Sequence, residues 1–242
     1  MININIILED YHLTTTILNN LFQLKSNIKN TAIKYNRSVD SVNLMIVTKG
    51  ISIEQINTIL IGGQQIFGES YLQEALYKIK ILHAENIEWH FIGRIQSNKI
   101  KFIAKNFSWV DSVSNYQTAY LLNQYRSNNI ERLNVCIQVN ISNDPNKSGI
   151  LIDNLLPFIL SLTCLKNINI RGLMAIPTYY ENFNEQYAKY MLLVEKFIQL
   201  RESGITLDTI NIGMSHDYIA AIAAGATIIR IGKAIFKYNQ II

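Results

Sequence analysis

The sequence predicts an α/β protein: a closed (β/α)8 barrel of the TIM type, preceded by one extra N-terminal helix. Two observations carry this. Short apolar β-like runs alternate with amphipathic helical stretches, the pattern of parallel βαβ units. Eight such runs follow one another, the number that closes a barrel. A doubly wound open sheet is the alternative, but no GxGxxG motif follows the first run, which removes its commonest nucleotide-binding form.

The elements follow in order. From about Leu13 to Tyr35, apolar residues recur at helical spacing, as in Ile17, Leu21, Leu24 and Ile28. This is the extra helix. The strand candidates are "NLMIVTK" (43–49), "QQIFG" (64–68), "EWHFIG" (88–93) and "WVDSV" (109–113). They continue with "NVCIQVN" (134–140), "NIRGLMA" (169–175), "LDTINIGMS" (207–215) and "ATIIRIG" (226–232). Between them lie amphipathic segments such as "SIEQINTILI" and "NEQYAKYMLLVEKFIQLRES".

Composition supports one domain over residues 1–242. The chain is 49% apolar, enough to fill a sizeable core, and has three prolines and no Gly/Ser-rich linker. Its formal net charge is +4, with the basic residues spread along the chain rather than massed in an arm, which argues against nucleic acid. Cys136 and Cys164 sit among apolar residues and read as buried free thiols, with no Cys/His cluster for a metal. Glu9 and Asp10 interrupt the N-terminal apolar run, so it is no signal peptide, and no run is long enough to span a bilayer. The expectation is a cytoplasmic protein with no membrane partner. No apolar stripe marks an obligate dimer, so a monomer is expected.

In a (β/α)8 barrel, active sites form at the C-terminal ends of the strands. The first strand ends in Lys49, the second in Glu69 and Ser70, and the fourth gives Asp111 and Ser112. Asn140, Met174, Met214 and Ser215 follow, then Arg230, Gly232 and Lys233. A lysine amine desolvated among barrel walls becomes a nucleophile that forms a Schiff base with an aldehyde or ketone. "GMS" and "RIGKA" flank the place where such barrels often hold a phosphate. Ser215 offers a hydroxyl there, and Gly232 lets backbone N–H groups come close at the start of the helical segment "KAIFKY". A lysine facing a phosphate cradle suggests a phosphorylated aldehyde, and pyridoxal 5'-phosphate (PLP) fits. Arg230 adds to this. Many PLP enzymes place an Asp on the pyridine nitrogen. An arginine cannot accept that proton, so the ring would be a weak electron sink.

These residues carry a resemblance. "IVTKG", "FGESYLQEA", "WHFIGRIQSNKIK", "VDSV", "IQVNISNDPNKSGI", "RGLMAIP" and "GMSHDYIAAIAAGATIIRIGKAIF" resemble, in order, the motifs of the PLP homeostasis proteins. These are also called the proline synthase co-transcribed or YggS-like family. The resemblance runs from about residue 10 to residue 237. It implies the alanine-racemase-type barrel (PLP fold type III), with Lys49 as the PLP lysine. It places Ser215, Arg230 and Gly232 on the phosphate and ring contacts, with Ser70, Met214 and Lys233 beside them. Where Ser70 stands the family usually has Asn, and where Lys233 stands it usually has Thr. The implied function is to hold PLP on Lys49 and buffer it or hand it to PLP-dependent apoenzymes, without catalysis. The alternative is a PLP-dependent amino-acid racemase. Against it, a racemase takes a second base from a C-terminal β-domain, for which the sequence leaves no room after the eighth strand. A Schiff-base aldolase without PLP is a third reading.

Blander readings stand beside these. Arg230 could pair with Asp208 or Asp217. Ser215 could cap the helix over "HDYIAAIAAG", with Asp217 in its first turn. His90 reads as a core histidine bonded to a neighbour, and His83 and His216 as solvent-facing. Lys147 lies on a loop, and Tyr71 could pack the rim.

Overall fold

The computed structural model describes residues 4–236 except 84, 127 and 129, with side chains from residue 12 onward. Eight parallel strands close into a barrel in sequence order. They are β1 (Asn43–Val47), β2 (Ile66–Glu69), β3 (Glu88–Phe91), β4 (Trp109–Val113), β5 (Leu133–Val139), β6 (Ile168–Ala175), β7 (Thr209–Asn211) and β8 (Ile228–Ile231). Every expected strand is present. β1 pairs with β8 and closes the ring, with Met45 opposite Arg230.

The helices are α1 (Ile4–Lys34), α2 (Ile53–Ile61), α3 (Leu72–Ile81), α4 (Ile100–Asn106), α5 (Tyr116–Tyr125), α6 (Leu155–Ser161), α7 (Phe183–Glu202) and α8 (Tyr218–Ala224). The extra helix begins at Ile4, earlier than the apolar periodicity suggests. Its buried stripe is Ile17, Leu21, Leu24, Ile28 and Ala32. It packs on α2 and α8, filling the gap in the helical ring beyond β8. Asn20 donates to the Ile235 carbonyl at 3.0 Å, and Arg37 to the Ile222 carbonyl at 2.8 Å. Burial of that stripe, rather than intrinsic propensity, holds the helix in place.

Three expectations change. Of "KAIFKY", the described residues Lys233–Phe236 form a single 3₁₀ turn rather than an α-helical start, and Lys237 and Tyr238 lie outside the described residues. β7 is three residues long, because Gly213 turns the chain out of the strand at φ +93°. Cys136 is buried, but Cys164 is exposed. It lies in the turn after α6, where its thiol meets the Ser161 carbonyl and the Tyr116 side chain.

The barrel interior is not wholly apolar. His90, Asp111, Asn211 and Arg230 are all buried, on β3, β4, β7 and β8. Buried polar groups at this density must be paired.

Candidate active site

The C-terminal ends of the strands enclose a cavity of about 700 Å³. All seven residues expected at the site line it: Lys49, Ser70, Met214, Ser215, Arg230, Gly232 and Lys233. Val47, Ile92, Met174 and Ile176 give it apolar walls. None of its lining residues is acidic, and three are cationic.

Lys49 stands just beyond the end of β1. Thr48 still donates to the Gly68 carbonyl at 3.0 Å, and the chain then turns at Gly50, φ +71°, into α2. Ser52 and Gln55 start that helix with a reciprocal capping box. The lysine side chain is exposed rather than desolvated between barrel walls, because the turn lifts it to the rim.

An ionic cluster behind the barrel wall brackets Lys49. Lys78 of α3, 3% exposed, bonds Glu69 at 2.7 Å and Glu74 at 2.5 Å. It also donates to the Thr48 carbonyl at 2.6 Å. Thr48 gives its hydroxyl to Glu69, and Glu74 accepts the Gly50 N–H at 2.6 Å. The backbone on each side of Lys49 is thus tied to one cluster. Burial raises the Glu69 carboxyl above its usual range, against the pull of Lys78 and Thr48. Glu69, read from sequence as a strand-end group, therefore faces away from the cavity. Ser70 follows it, and the next strand crosses close by. A Cβ on Gly93 would lie 2.2 Å from the Ser70 carbonyl oxygen, so only glycine fits there.

The loop from β7 to α8 carries Met214 and Ser215. Asp217, not Ser215, occupies the cap position of α8. One Asp217 oxygen accepts the Met214 N–H at 2.5 Å and the other the Tyr190 hydroxyl at 2.8 Å. Burial, with the Asp217 charge, pushes the Tyr190 phenol well up, so it stays a donor. Asp217 shapes the loop while the Ser215 hydroxyl stays on the cavity wall.

Arg230 pairs with neither Asp208 nor Asp217. Asp208 is held by Arg171, and Asp217 by the loop it shapes. Arg230 instead donates to the Asn211 carbonyl at 2.7 Å, the Asn211 side-chain oxygen at 2.5 Å and the Ala175 carbonyl at 3.0 Å. A guanidinium has five N–H groups, so two have no acceptor among the described residues, and Arg230 lines the cavity. Asn211 in turn donates to Asp111 at 2.8 Å, and Asp111 accepts His90 at 2.8 Å. His90 stacks on Trp109 and reaches Glu88 with its other nitrogen at 3.0 Å. Burial alone would lower the His90 imidazole, but Asp111 and Glu88 raise it to about 9. Both ring nitrogens face carboxylate oxygens, which can only accept, so both must donate and the core histidine carries a charge.

His216, taken from sequence as solvent-facing, is exposed yet lines the cavity, against Tyr179. Its place directly after Ser215 was the available signal. Lys147 stays on its loop, 3.2 Å from the Thr178 hydroxyl, and Tyr71 is exposed on the rim. Asp111 lies below the cavity, and Asn140 is used in its own loop, donating to Asp144.

Residues 20–240 match the family described as alanine racemase, N-terminal domain. The chain belongs to that family. Within it, the chain is 39% identical to the pyridoxal phosphate homeostasis protein of Buchnera aphidicola subsp. Baizongia pistaciae, over 91% of this chain and 98% of that one. It is 37% identical to the protein of the same name from Escherichia coli, over 91% of this chain and 95% of that one. The chain is thus a member of the pyridoxal phosphate homeostasis proteins. A solved structure of PipY from Synechococcus elongatus, with PLP bound, superimposes at a TM-score of 0.80 with 29% identity, covering 91% of this chain and all of that one. An alanine racemase of Clostridium difficile shares the fold alone, at a TM-score of 0.69 and 16% identity, over 92% of this chain and 58% of that one.

Proposed function

We propose that this chain binds PLP in the cavity at the C-terminal ends of its strands, with Lys49 as the covalent anchor, and serves to hold and buffer the cofactor. One observation carries the reading: a single cavity of about 700 Å³ gathers an amine, a guanidinium, two hydroxyls and a second lysine, with no acidic residue among them. That donor set fits a phosphorylated aldehyde. When bound, PLP supplies an aldehyde for an amine and an aromatic ring that can accept electrons.

Lys49 contributes its amine from a backbone held on both sides by the Lys78 cluster. Ser215 and Lys233 offer a hydroxyl and a charge to the phosphate, and the Gly232 backbone lines the same cavity. Arg230 keeps two N–H groups free for a ring acceptor. Met174 and Met214 present soft apolar surface to a ring. Ser70 sits beside Lys49, its side chain short enough to leave the ring edge open.

The role is that of a carrier rather than a racemase. Arg230 is fixed by three neutral acceptors and always charged, so it offers a donor where a strong electron sink needs a proton acceptor. The unit is a single domain over residues 1–242. It acts in the cytoplasm as a monomer without nucleic acid, and PLP-dependent apoenzymes are the natural recipients.

The test is Lys49→Ala. The variant should lose the PLP adduct that borohydride reduction fixes in the parent protein, while keeping weak binding through the phosphate. If Lys49→Ala still yields a reduced PLP–protein adduct, another lysine is the anchor and the assignment fails.

A further inference from the structure

The hydrogen bonds below the cavity run in one unbroken line across the barrel interior. Glu88 lies at the start of β3 and is 42% exposed by side chain. From it the line passes to His90, Asp111, Asn211 and Arg230, every one of them buried. The groups alternate in sign: carboxylate, imidazolium, carboxylate, then an amide, then guanidinium.

The amide is the informative member. Asn211 turns its NH₂ toward Asp111 and its oxygen toward Arg230. A carboxylate can only accept, and a guanidinium can only donate. The two charges therefore fix which way the Asn211 amide faces, and a flipped amide would oppose donor to donor and acceptor to acceptor. Among the described residues Arg230 has no carboxylate in hydrogen-bond contact, so the nearest negative charge on this line reaches it through that amide. Asp111 in turn cannot rotate freely, because His90 holds its other oxygen at 2.8 Å and stacks flat on Trp109.

We propose that Asp111, held by His90, is a positioning residue for Arg230: acting through Asn211, it fixes the guanidinium so that its two unused N–H groups stay presented to the cavity. Asp111 does not line that cavity. Removing its charge frees the amide to turn over, and Arg230 then loses a fixed acceptor. The consequence for PLP rests on the functional reading above. The consequence for Arg230 itself does not.

Two experiments decide it. In the chain without cofactor, the Arg230 side-chain N–H resonances are followed by NMR in the parent protein, Asp111→Asn and Asn211→Ala. The parent should give sharp, slowly exchanging signals, and both variants should broaden them or speed their exchange by about tenfold or more. Should Asp111→Asn fail to fold, His90→Gln, which releases Asp111 and leaves every direct acceptor of Arg230 in place, carries the test, and it too should broaden the Arg230 signals. Unchanged Arg230 signals in the folded variants overturn the proposal, whatever the protein binds.

The second experiment is a double-mutant cycle on PLP affinity. Asp111→Asn should weaken PLP binding about tenfold when Arg230 is present and less than about twofold in an Arg230→Gln background. An equal loss in both backgrounds means that Asp111 acts by general stability, and the positioning role is wrong. A parent protein that takes up no PLP refutes the functional reading instead, and leaves the NMR result to judge this one.

Discussion

The ammonium of Lys78 lies 2.6 Å from the carbonyl oxygen of Thr48, the residue before Lys49. One buried lysine thus helps to hold the backbone of another that faces the cavity. The cluster is nearly closed on itself, since Lys78 also meets Glu69 and Glu74, and Glu74 takes the N–H of Gly50.

Lys78→Met should therefore be costly. Glu69 would keep its place behind the barrel wall without its counter-charge, and one of its oxygens already has no partner among the described residues. Breaking one side of a buried pair costs about 3–5 kcal/mol. Denaturant unfolding should show a loss of that size, and PLP retention should fall with it as the turn at Lys49 loosens. A variant as stable as the parent would show that the cluster is not a clamp.

The His90–Asp111 pair gives stability a defined pH dependence. His90 binds its proton more tightly folded, at about 9, than unfolded, near 6.5. Its contribution is fully present below about pH 6.5 and is lost as pH rises through about 9. Asp111, held low mainly by His90 against the upward push of burial, acts on the other limb. Its contribution is present above the ordinary carboxylate range and fades only as pH falls through its lowered value. The alkaline limb is worth on the order of 3 kcal/mol, a drop in Tm of about 6–12 °C between pH 6.5 and 9. Calorimetry across that range should show the decline, and His90→Gln should flatten it. Equal slopes in parent and variant would count against a charged His90.

Gly232→Ala separates fold from binding. The new Cβ would meet Val47 at 3.5 Å, an ordinary contact, and Gly232 does not occupy a positive φ. The fold should accept it within about 0.5 kcal/mol. The methyl group would stand on the cavity wall, however, beside the proposed phosphate position. PLP affinity measured by titration should drop several-fold at unchanged Tm. Unaltered affinity would move the phosphate away from Gly232.

Much of this was legible before any coordinates. The eight strands declare themselves because a barrel buries one strand face inside the ring and the other under helices, leaving near-continuous apolar runs. Lys49, Ser215 and Arg230 stand out because a polar residue ending such a run needs a reason. Other features were not legible. Lys78 sits in "QEALYKIK", where helical spacing gives a charged residue every reason to be solvated, and its buried place beside Glu69 and the Thr48 carbonyl shows only in three dimensions. The line from His90 to Arg230 joins β3, β4, β7 and β8, and no local pattern reports which residues from distant strands share one level of the barrel. Ser215 as a helix cap failed because Asp217, two residues on, makes the stronger loop contacts. Lys233–Phe236 reads as the start of a helix, and in the described residues it forms a 3₁₀ turn whose apolar residues pack on α1.

The central claim is that Lys49 anchors PLP in this cavity. The most direct measurement is an absorption spectrum of the purified protein after PLP is added, followed by borohydride reduction and peptide mass mapping. The account predicts a near-visible band and a reduced pyridoxyl adduct on the peptide that contains Lys49. A protein that stays colourless with added PLP, or an adduct on any other lysine, would contradict it.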